Sequence, residues 1–310
     1  MCTSVTWESE GRHFVGRNLD FEISYGQTPV ATPRNYPFQF KNGRRLESHF
    51  AIIGMAAVAE GYPLYFDATN EKGLSAEGLM FKTAKYSSER GENCFASFEL
   101  IPYLLGTCES VEEAKERLGE IKVTDEAFSP AFPPSPLHWM ICDQKGCITV
   151  EVEEGQVRVF DNPVGVLTNC PGFDKQLFNL NNYPTLSPKD PADSFSPSFT
   201  LSSYSRGMGT KGLPGGLDSE SRFVRAAFSA LNASKEKDEK KAVAQFFHIL
   251  RSVCQIKGLD AVENGFEYTI YTSCVDMDKG LYRYMGYEDF EIREADLHSC
   301  DLEGRELTKF

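Results

Sequence analysis

The chain has 310 residues, a net charge of −13 and a sequence pI near 5.0, which argues against a nucleic-acid binder. Hydrophobic content of 41% and charged content of 25% are those of a soluble globular protein with a large core, and no apolar run approaches the roughly 20 residues of a membrane span. The start lacks the basic and apolar segments of a signal peptide, so the protein is expected in the cytoplasm, with its nine scattered cysteines as thiols rather than a disulfide framework.

Residues 3–8 alternate, with Thr3, Val5 and Trp7 against Ser4, Thr6 and Glu8. After a Glu10-Gly11 turn, His13–Asn18 continues as a second strand, so the chain opens on a hairpin that brings Arg17 and Asp20 beside Cys2. Residues 22–49, rich in Pro, Asn and Arg, read as a long loop. Ala51–Ala57 is a buried-strand run, and Leu64–Ala68 and Leu74–Phe81 flank an Asn70–Gly73 turn. Helical spacing follows over Phe95–Leu105 and Ser110–Ile121, the second opening on a Ser110/Glu113 capping box. A Pro- and Phe-containing loop spans 124–136. Strands resume at Leu137–Cys142, Cys147–Val152, Val157–Phe160 and Val166–Asn169. A short helix is expected at Phe173–Tyr183, a long Ser-, Pro- and Gly-rich segment at 185–217, and helices at about 220–232 and 239–255. Phe266–Cys274 and Leu281–Tyr287 form a closing hairpin. Blocks of hairpins separated by helix pairs, with no βαβ alternation, predict antiparallel sheets covered by helices in one domain over 1–310.

The chemistry starts at Cys2. If Met1 is removed, one residue carries both a thiol and a free α-amine, whose ordinary pKa of about 7.7–8.0 leaves a useful neutral fraction near pH 7. That is a nucleophile beside its own base. Arg17 would favour the thiolate by its charge, and Asp20 could hold the α-ammonium. Asn169, at a strand end before Cys170-Pro171, could turn its amide NH2 towards an oxyanion. Arg222 lies at the start of a helix, where a cation does not complement the dipole, so it should have another partner. The five histidines are far apart and no CxxC or HxxxH pattern occurs, so no metal site is expected.

Together these segments resemble the choloylglycine hydrolase (bile salt hydrolase) and penicillin V acylase family. The resemblance runs through Met1-Cys2-Thr3, Gly16-Arg17-Asn18-Leu19-Asp20, Asn70-Glu71-Lys72-Gly73-Leu74 and Leu137-His138-Trp139-Met140. It continues through Gly165–Asn169, Ser221-Arg222-Phe223 and Tyr271-Thr272-Ser273-Cys274, in the family's order over nearly the whole chain. It implies a four-layer αββα N-terminal-nucleophile hydrolase fold of class α+β with two antiparallel sheets, removal of Met1, no cofactor and a homotetramer. Carried over by position, Cys2 is the nucleophile and its α-amine the base. Arg17 and Asp20 flank it, Asn169 donates to the oxyanion and Arg222 completes the polar network. The implied substrate is a conjugated bile acid, cleaved at its amide.

One position departs. Where bile salt hydrolases usually hold Asn and penicillin V acylases Tyr, this chain has Met80. The family role there is largely a backbone N–H to the oxyanion, which Met80 keeps; its side chain adds only flexible apolar lining. The candidate pocket wall is Leu19, Phe21, Ile23, Tyr25, Tyr65, Met80, Phe128, Phe132 and Leu137, apolar enough for a rigid steroid face, though several of these could simply fill the core. The rival readings are a penicillin V or N-acyl-homoserine-lactone acylase of the same family, and a non-catalytic member that only binds bile acids.

Overall fold

A computed structural model describes residues 1–263 and 265–310. The expected opening hairpin is β1 (Cys2–Ser9) and β2 (Arg12–Phe21), in register from Cys2 opposite Leu19 to Ser9 opposite Arg12. Glu10 and Gly11 both take positive φ, 52° and 80°, the turn geometry that follows the twist of two adjoining strands. The stretch expected as a loop after β2 instead holds β3 (Thr28–Thr32), β4 (Phe38–Gln39) and β5 (Arg45–Leu46). β3 is buried on both faces and shows no alternation, and β4 and β5 are too short to have any.

β6 (Ile52–Ala59), β7 (Tyr62–Asn70) and β8 (Ser75–Met80) form a meander. The segment expected to be helical from Phe95 begins with β9 (Cys94–Ala96), and α1 (Leu100–Thr107) starts only after it. In α2 (Val111–Glu120), Ser110 Oγ accepts from Glu113 N–H at 3.3 Å, while the Glu113 carboxylate takes the N–H of Glu109 at 2.9 Å. The capping box therefore closes one residue early. β10 (Lys122–Thr124) pairs with β9. β11 (Leu137–Cys142), β12 (Cys147–Glu153), β13 (Gln156–Asp161) and β14 (Val166–Leu167) follow, then α3 (Phe173–Asn179). α4 (Ser219–Asn232) and α5 (Glu239–Arg251) are each capped by an aspartate, Asp218 and Asp238, whose carboxylates accept from the N–H three residues on. The chain ends with β15 (Asp260–Val262), β16 (Gly265–Asp276), β17 (Leu281–Gly286), β18 (Arg293–Asp296) and β19 (Thr308–Lys309).

One large sheet has the order β14-β1-β2-β16-β17-β18, with β15 on β16; the other runs β13-β12-β11-β8-β7-β6-β3-β19. Every pairing in both is antiparallel. The inner faces meet through residues such as Val15, Met55, Leu79 and Met140. Phe223, Phe246 and Leu250 of α4 and α5 cover the first sheet, and Leu100, Leu104 and Leu118 of α1 and α2 cover the second against Ile52, Trp139 and Ile141. The result is the expected αββα sandwich. Each such large apolar side chain contributes about 1.5–3 kcal/mol on burial, so the layers hold the strand ends near Cys2 rigidly. Among the described residues no helix is long and apolar enough to cross a membrane.

Gly16 is required where β2 crosses closest to β16. A Cβ there would collide with the Ser273 carbonyl, and the next residue, Arg17, is anchored by its N–H to Ser273 Oγ at 3.1 Å. The missing side chain lets β2 lie close enough to fix Arg17.

Candidate active site

Because Cys2 pairs with Leu19, its side chain shares the inter-sheet face with Leu19 and Arg17, while Thr3, Asn18 and Asp20 face the helix layer. Cys2 is 5% exposed. β14 runs beside β1, and just past its end the side chain of Asn169 meets the start of β1: its Oδ1 accepts from Cys2 N–H at 2.9 Å. Arg222, fully buried in the first turn of α4, reaches the same point. Its Nη1 donates to Cys2 O at 2.5 Å and Thr3 Oγ1 at 2.6 Å, its Nη2 to Asn169 Oδ1 at 2.7 Å, and its Nε to Leu217 O at 2.8 Å. These are the partners that its uncompensated place on the helix called for. Two donors on one side fix the orientation of the Asn169 amide. Its Nδ2 therefore faces the other way and donates to Met80 O at 2.8 Å.

That last bond places Met80. Phe81 N–H donates to Pro136 O at 2.7 Å, so by the alternation of an antiparallel ladder the N–H and C=O of Met80 turn away from β11 towards Asn169. Met80 thus meets the site through its backbone. Its side chain shares a face with its pairing partner Leu137, which packs with the outer core.

Two β-bulges shape the site. Opposite β6, Met55 pairs with Asp67 and Ala56 with Tyr65, leaving Phe66 as the extra residue. Opposite β2, Thr269 pairs with Asp20 and Tyr271 with Leu19, leaving Ile270 as the extra one. Bulges of this kind re-aim side chains and free backbone groups. The first frees the Phe66 carbonyl, and Arg17 Nη1 donates to it at 2.8 Å and to Gly78 O at 2.6 Å. Burial by itself would lower the Arg17 guanidinium, but Cys2, Tyr271, Asp67 and Glu77 around it reverse this and raise it. The second bulge sets Thr269 against Asp20, whose Oδ1 accepts from Thr269 Oγ1 at 2.5 Å; Oδ2 has no donor among the described residues. Burial raises the Asp20 carboxyl, against the pull of Arg222, Thr269, the terminal amine and Arg17.

Met1 caps this arrangement. Its ammonium donates to Asp20 O at 2.7 Å and pairs with Glu267, and its carbonyl accepts from Asp20 N–H at 2.9 Å. Burial lowers this terminal amine, with Cys2 and Asp20 opposing.

Beneath Asn169 lies support that the sequence reading did not assign. Ser219 Oγ accepts from Asn169 N–H at 2.8 Å, and Gln176 Nε2 donates to the same hydroxyl at 3.0 Å. His138, fully buried and stacked 4.5 Å from Phe81, donates from Nε2 to Thr168 O at 2.9 Å, with Glu151 on its other side at 3.3 Å. Its Leu137–Met140 segment carries the family resemblance, but nothing in the sequence says which backbone group the ring would hold.

Of the expected pocket wall, Leu19, Phe21 and Tyr25 gather beside Cys2: the rings of Phe21 and Tyr25 lie 5.6 Å apart, and Tyr25 lies 5.7 Å from Phe66. Ile23 and Tyr25 are 54% and 42% exposed at the open end. Tyr65 is not on this wall. The bulge at Phe66 turns Tyr65 into the outer core, where its Oη bonds Thr32 Oγ1 at 2.7 Å, and it gives the inner place to Phe66. Leu137 likewise faces the outer core, one residue out of phase with inward-facing His138 and Met140. Phe128 and Phe132 pack on each other, and Phe128 also against Tyr62 and Phe98. A groove of about 810 Å³ opens near Trp7, His13, Asp143 and Asn162, and none of the expected site residues lines it. The polar constellation, rather than the volume, marks the candidate site.

Residues 2–310 match the linear amide C–N hydrolases, choloylglycine hydrolase family. The chain belongs to that family. A bile salt hydrolase/transferase of Lactiplantibacillus plantarum is 49% identical over all of this choloylglycine hydrolase family chain and 96% of its own length. The solved structure of a conjugated bile acid hydrolase from Clostridium perfringens superposes with a TM-score of 0.92 at 35% identity, covering 100% of this chain and 96% of that one. A penicillin V acylase from Agrobacterium tumefaciens shares the fold at a TM-score of 0.80 and 22% identity, over 99% of this chain and 90% of its own.

Proposed function

We propose that this family member hydrolyses the amide bond of glycine- or taurine-conjugated bile acids, with Cys2 as nucleophile once Met1 is removed. The observation that carries the reading is the convergence of Asn169 and Arg222 on the backbone of Cys2, with Arg17 on the thiol's face. Once Met1 leaves, the nitrogen that Asn169 Oδ1 accepts from becomes an amine with a lone pair. The neighbouring Asp20 Oδ2 is then an acceptor for its protonated form.

In this mechanism the Cys2 thiol gives its proton to the α-amine and attacks the amide carbon. The oxyanion is met by the Met80 N–H and by the second N–H of the Asn169 amide, whose first is held by Met80 O. The amine passes the proton to the departing glycine or taurine nitrogen, leaving a cholyl thioester on Cys2. Water, activated by the same amine, cleaves the thioester. The apolar wall of Leu19, Phe21, Tyr25 and Phe66 suits a steroid face.

The names of the relatives support the substrate class, and a side-by-side assay tests it. Released glycine or taurine is measured from conjugated cholates, and phenoxyacetic acid from penicillin V. Brisk bile-salt turnover is expected; penicillin V cleavage without bile-salt cleavage would refute the substrate reading.

A further inference from the structure

Under Arg17 lies a pair of carboxyls that this reaction leaves without a task. Asp67 and Glu77 are direct partners across β7 and β8, so their side chains stand side by side on the inter-sheet face, both fully buried. The ladder between β7 and β8 ends at this pair. Arg17 Nη1 binds the next carbonyl on each strand, Phe66 and Gly78, and so wedges the strands apart. From the other sheet, Tyr271 Oη donates to Asp67 Oδ2 at 2.5 Å and Tyr282 Oη to Asp67 Oδ1 at 2.6 Å. Glu77 receives nothing: neither of its oxygens meets a donor among the described residues.

An ionised carboxylate only accepts hydrogen bonds, so a buried one without donors is costly, and two side by side costlier still. Burial raises the Asp67 carboxyl too, but Arg17 and the two phenol donors oppose it, so of the two Asp67 is the member fitted to carry charge. Glu77, with none, is the member that keeps a proton. Burial first, and Asp67 second, hold the Glu77 carboxyl well above the carboxylate range, against Arg17. The other ionisable groups facing it are Cys142, Tyr271 and Cys2. Cys142 is held neutral by its hydrogen bond to Cys147 and by burial, and Tyr271 by burial. Cys2 is then the reactive group most exposed to the charge of Glu77.

We propose that Asp67 and Glu77 form a one-proton carboxyl pair, with Glu77 a positioning residue that places one negative charge under Arg17 and none under Cys2. The proposal rests on Cys2 being the nucleophile. A second charge at Glu77 would oppose both the Cys2 thiolate and the oxyanion formed on it, so losing the Glu77 proton closes the reaction from the alkaline side.

Two measurements on the mature full-length protein test this. Infrared difference spectroscopy at neutral pH should show a buried carboxylic-acid C=O stretch that is absent from Glu77→Gln. The pH profile of kcat/KM for glycocholate should fall by about tenfold or more between about pH 7 and 10 in the wild type, the range in which buried glutamates ionise. Glu77→Asp should keep that fall; Glu77→Gln should flatten it to within about twofold, whatever its absolute rate. A merely structural Glu77 would leave the shape of the profile alike in all three. A wild type whose acid stretches match those of Glu77→Gln, or a Gln variant with the wild-type fall, overturns the proposal, since any band from the raised Asp20 carboxyl is common to both. If glycocholate is not turned over at all, the substrate reading fails, and the infrared result still decides the pair.

Discussion

The polar surroundings of Cys2 divide into two regions of opposite construction. On the helix side, Arg222 spends its donors on Cys2 O, Thr3, Asn169 and Leu217, and Ser219, Gln176 and His138 hold the strand that carries Asn169. On the inter-sheet side, Arg17 holds two carbonyls, Asp67 has two phenols and Glu77 has no donor. The first region fixes positions, because satisfied hydrogen bonds are directional. The second fixes charge, because an under-satisfied buried carboxyl answers by holding its proton. A nucleophile that is also its own base needs both: a stationary nitrogen and a neighbourhood of set polarity.

This contrast can be broken from its centre outwards. Cys2→Ala should lower turnover by about 10⁴-fold or more while leaving bile-acid binding and the unfolding midpoint near wild type. Persistent activity would show that neither region serves Cys2. On the helix side, Arg222→Met strands the Asn169 oxygen and the Cys2 carbonyl, each left short of a donor. Denaturant unfolding should register a loss of about 3–5 kcal/mol. A loss below 1 kcal/mol would mean the network is ornamental. Asn169→Leu should lower kcat by about 10²–10³-fold with a smaller change in KM, as for the loss of one oxyanion donor. An effect confined to KM would instead make Asn169 a substrate-binding group.

The pH dependence sharpens the same comparison. Burial lowers the Met1 amine, and the Cys2 nitrogen, one residue further along the buried strand β1, is expected to be lowered in the same way once Met1 leaves. A lowered amine stays neutral, and so able to accept a proton, to more acidic pH. The acid limb of kcat/KM should therefore lie below the ordinary amine value of about 7.7. A limb at or above pH 8 would contradict an amine base in a buried compartment. The smallest effect is expected from Tyr65→Phe, which removes a hydroxyl hydrogen-bonded in the outer core. It should cost about 1 kcal/mol of stability and leave KM for conjugated cholate unchanged. A several-fold rise in KM would put Tyr65 back in the pocket.

The hairpin blocks and helix pairs made antiparallel sheets covered by helices legible, because alternation and helical spacing report which face of an element is buried; the four-layer αββα order was implied by the family resemblance. β3 escaped because a strand buried on both faces does not alternate. The convergence of Cys2, Asn169 and Arg222 could be expected from the family resemblance, but not the direction in which the Asn169 amide points. That is set by two donors from distant segments. The exchange of Tyr65 for Phe66 turns on a single bulge, which shifts phase without any mark in local composition. Nothing in the local sequence marks Glu77. Its isolation becomes visible once Asp67, the two tyrosines and Arg17 are brought around it by both sheets.

The central claim is that Cys2, freed from Met1, is the acylated residue. Mass spectrometry of the enzyme quenched during turnover of glycocholate tests it most directly. The account predicts a chain beginning at Cys2, with a cholyl adduct on the peptide that contains it. Fully active protein retaining Met1, or an adduct on any other residue, would contradict it.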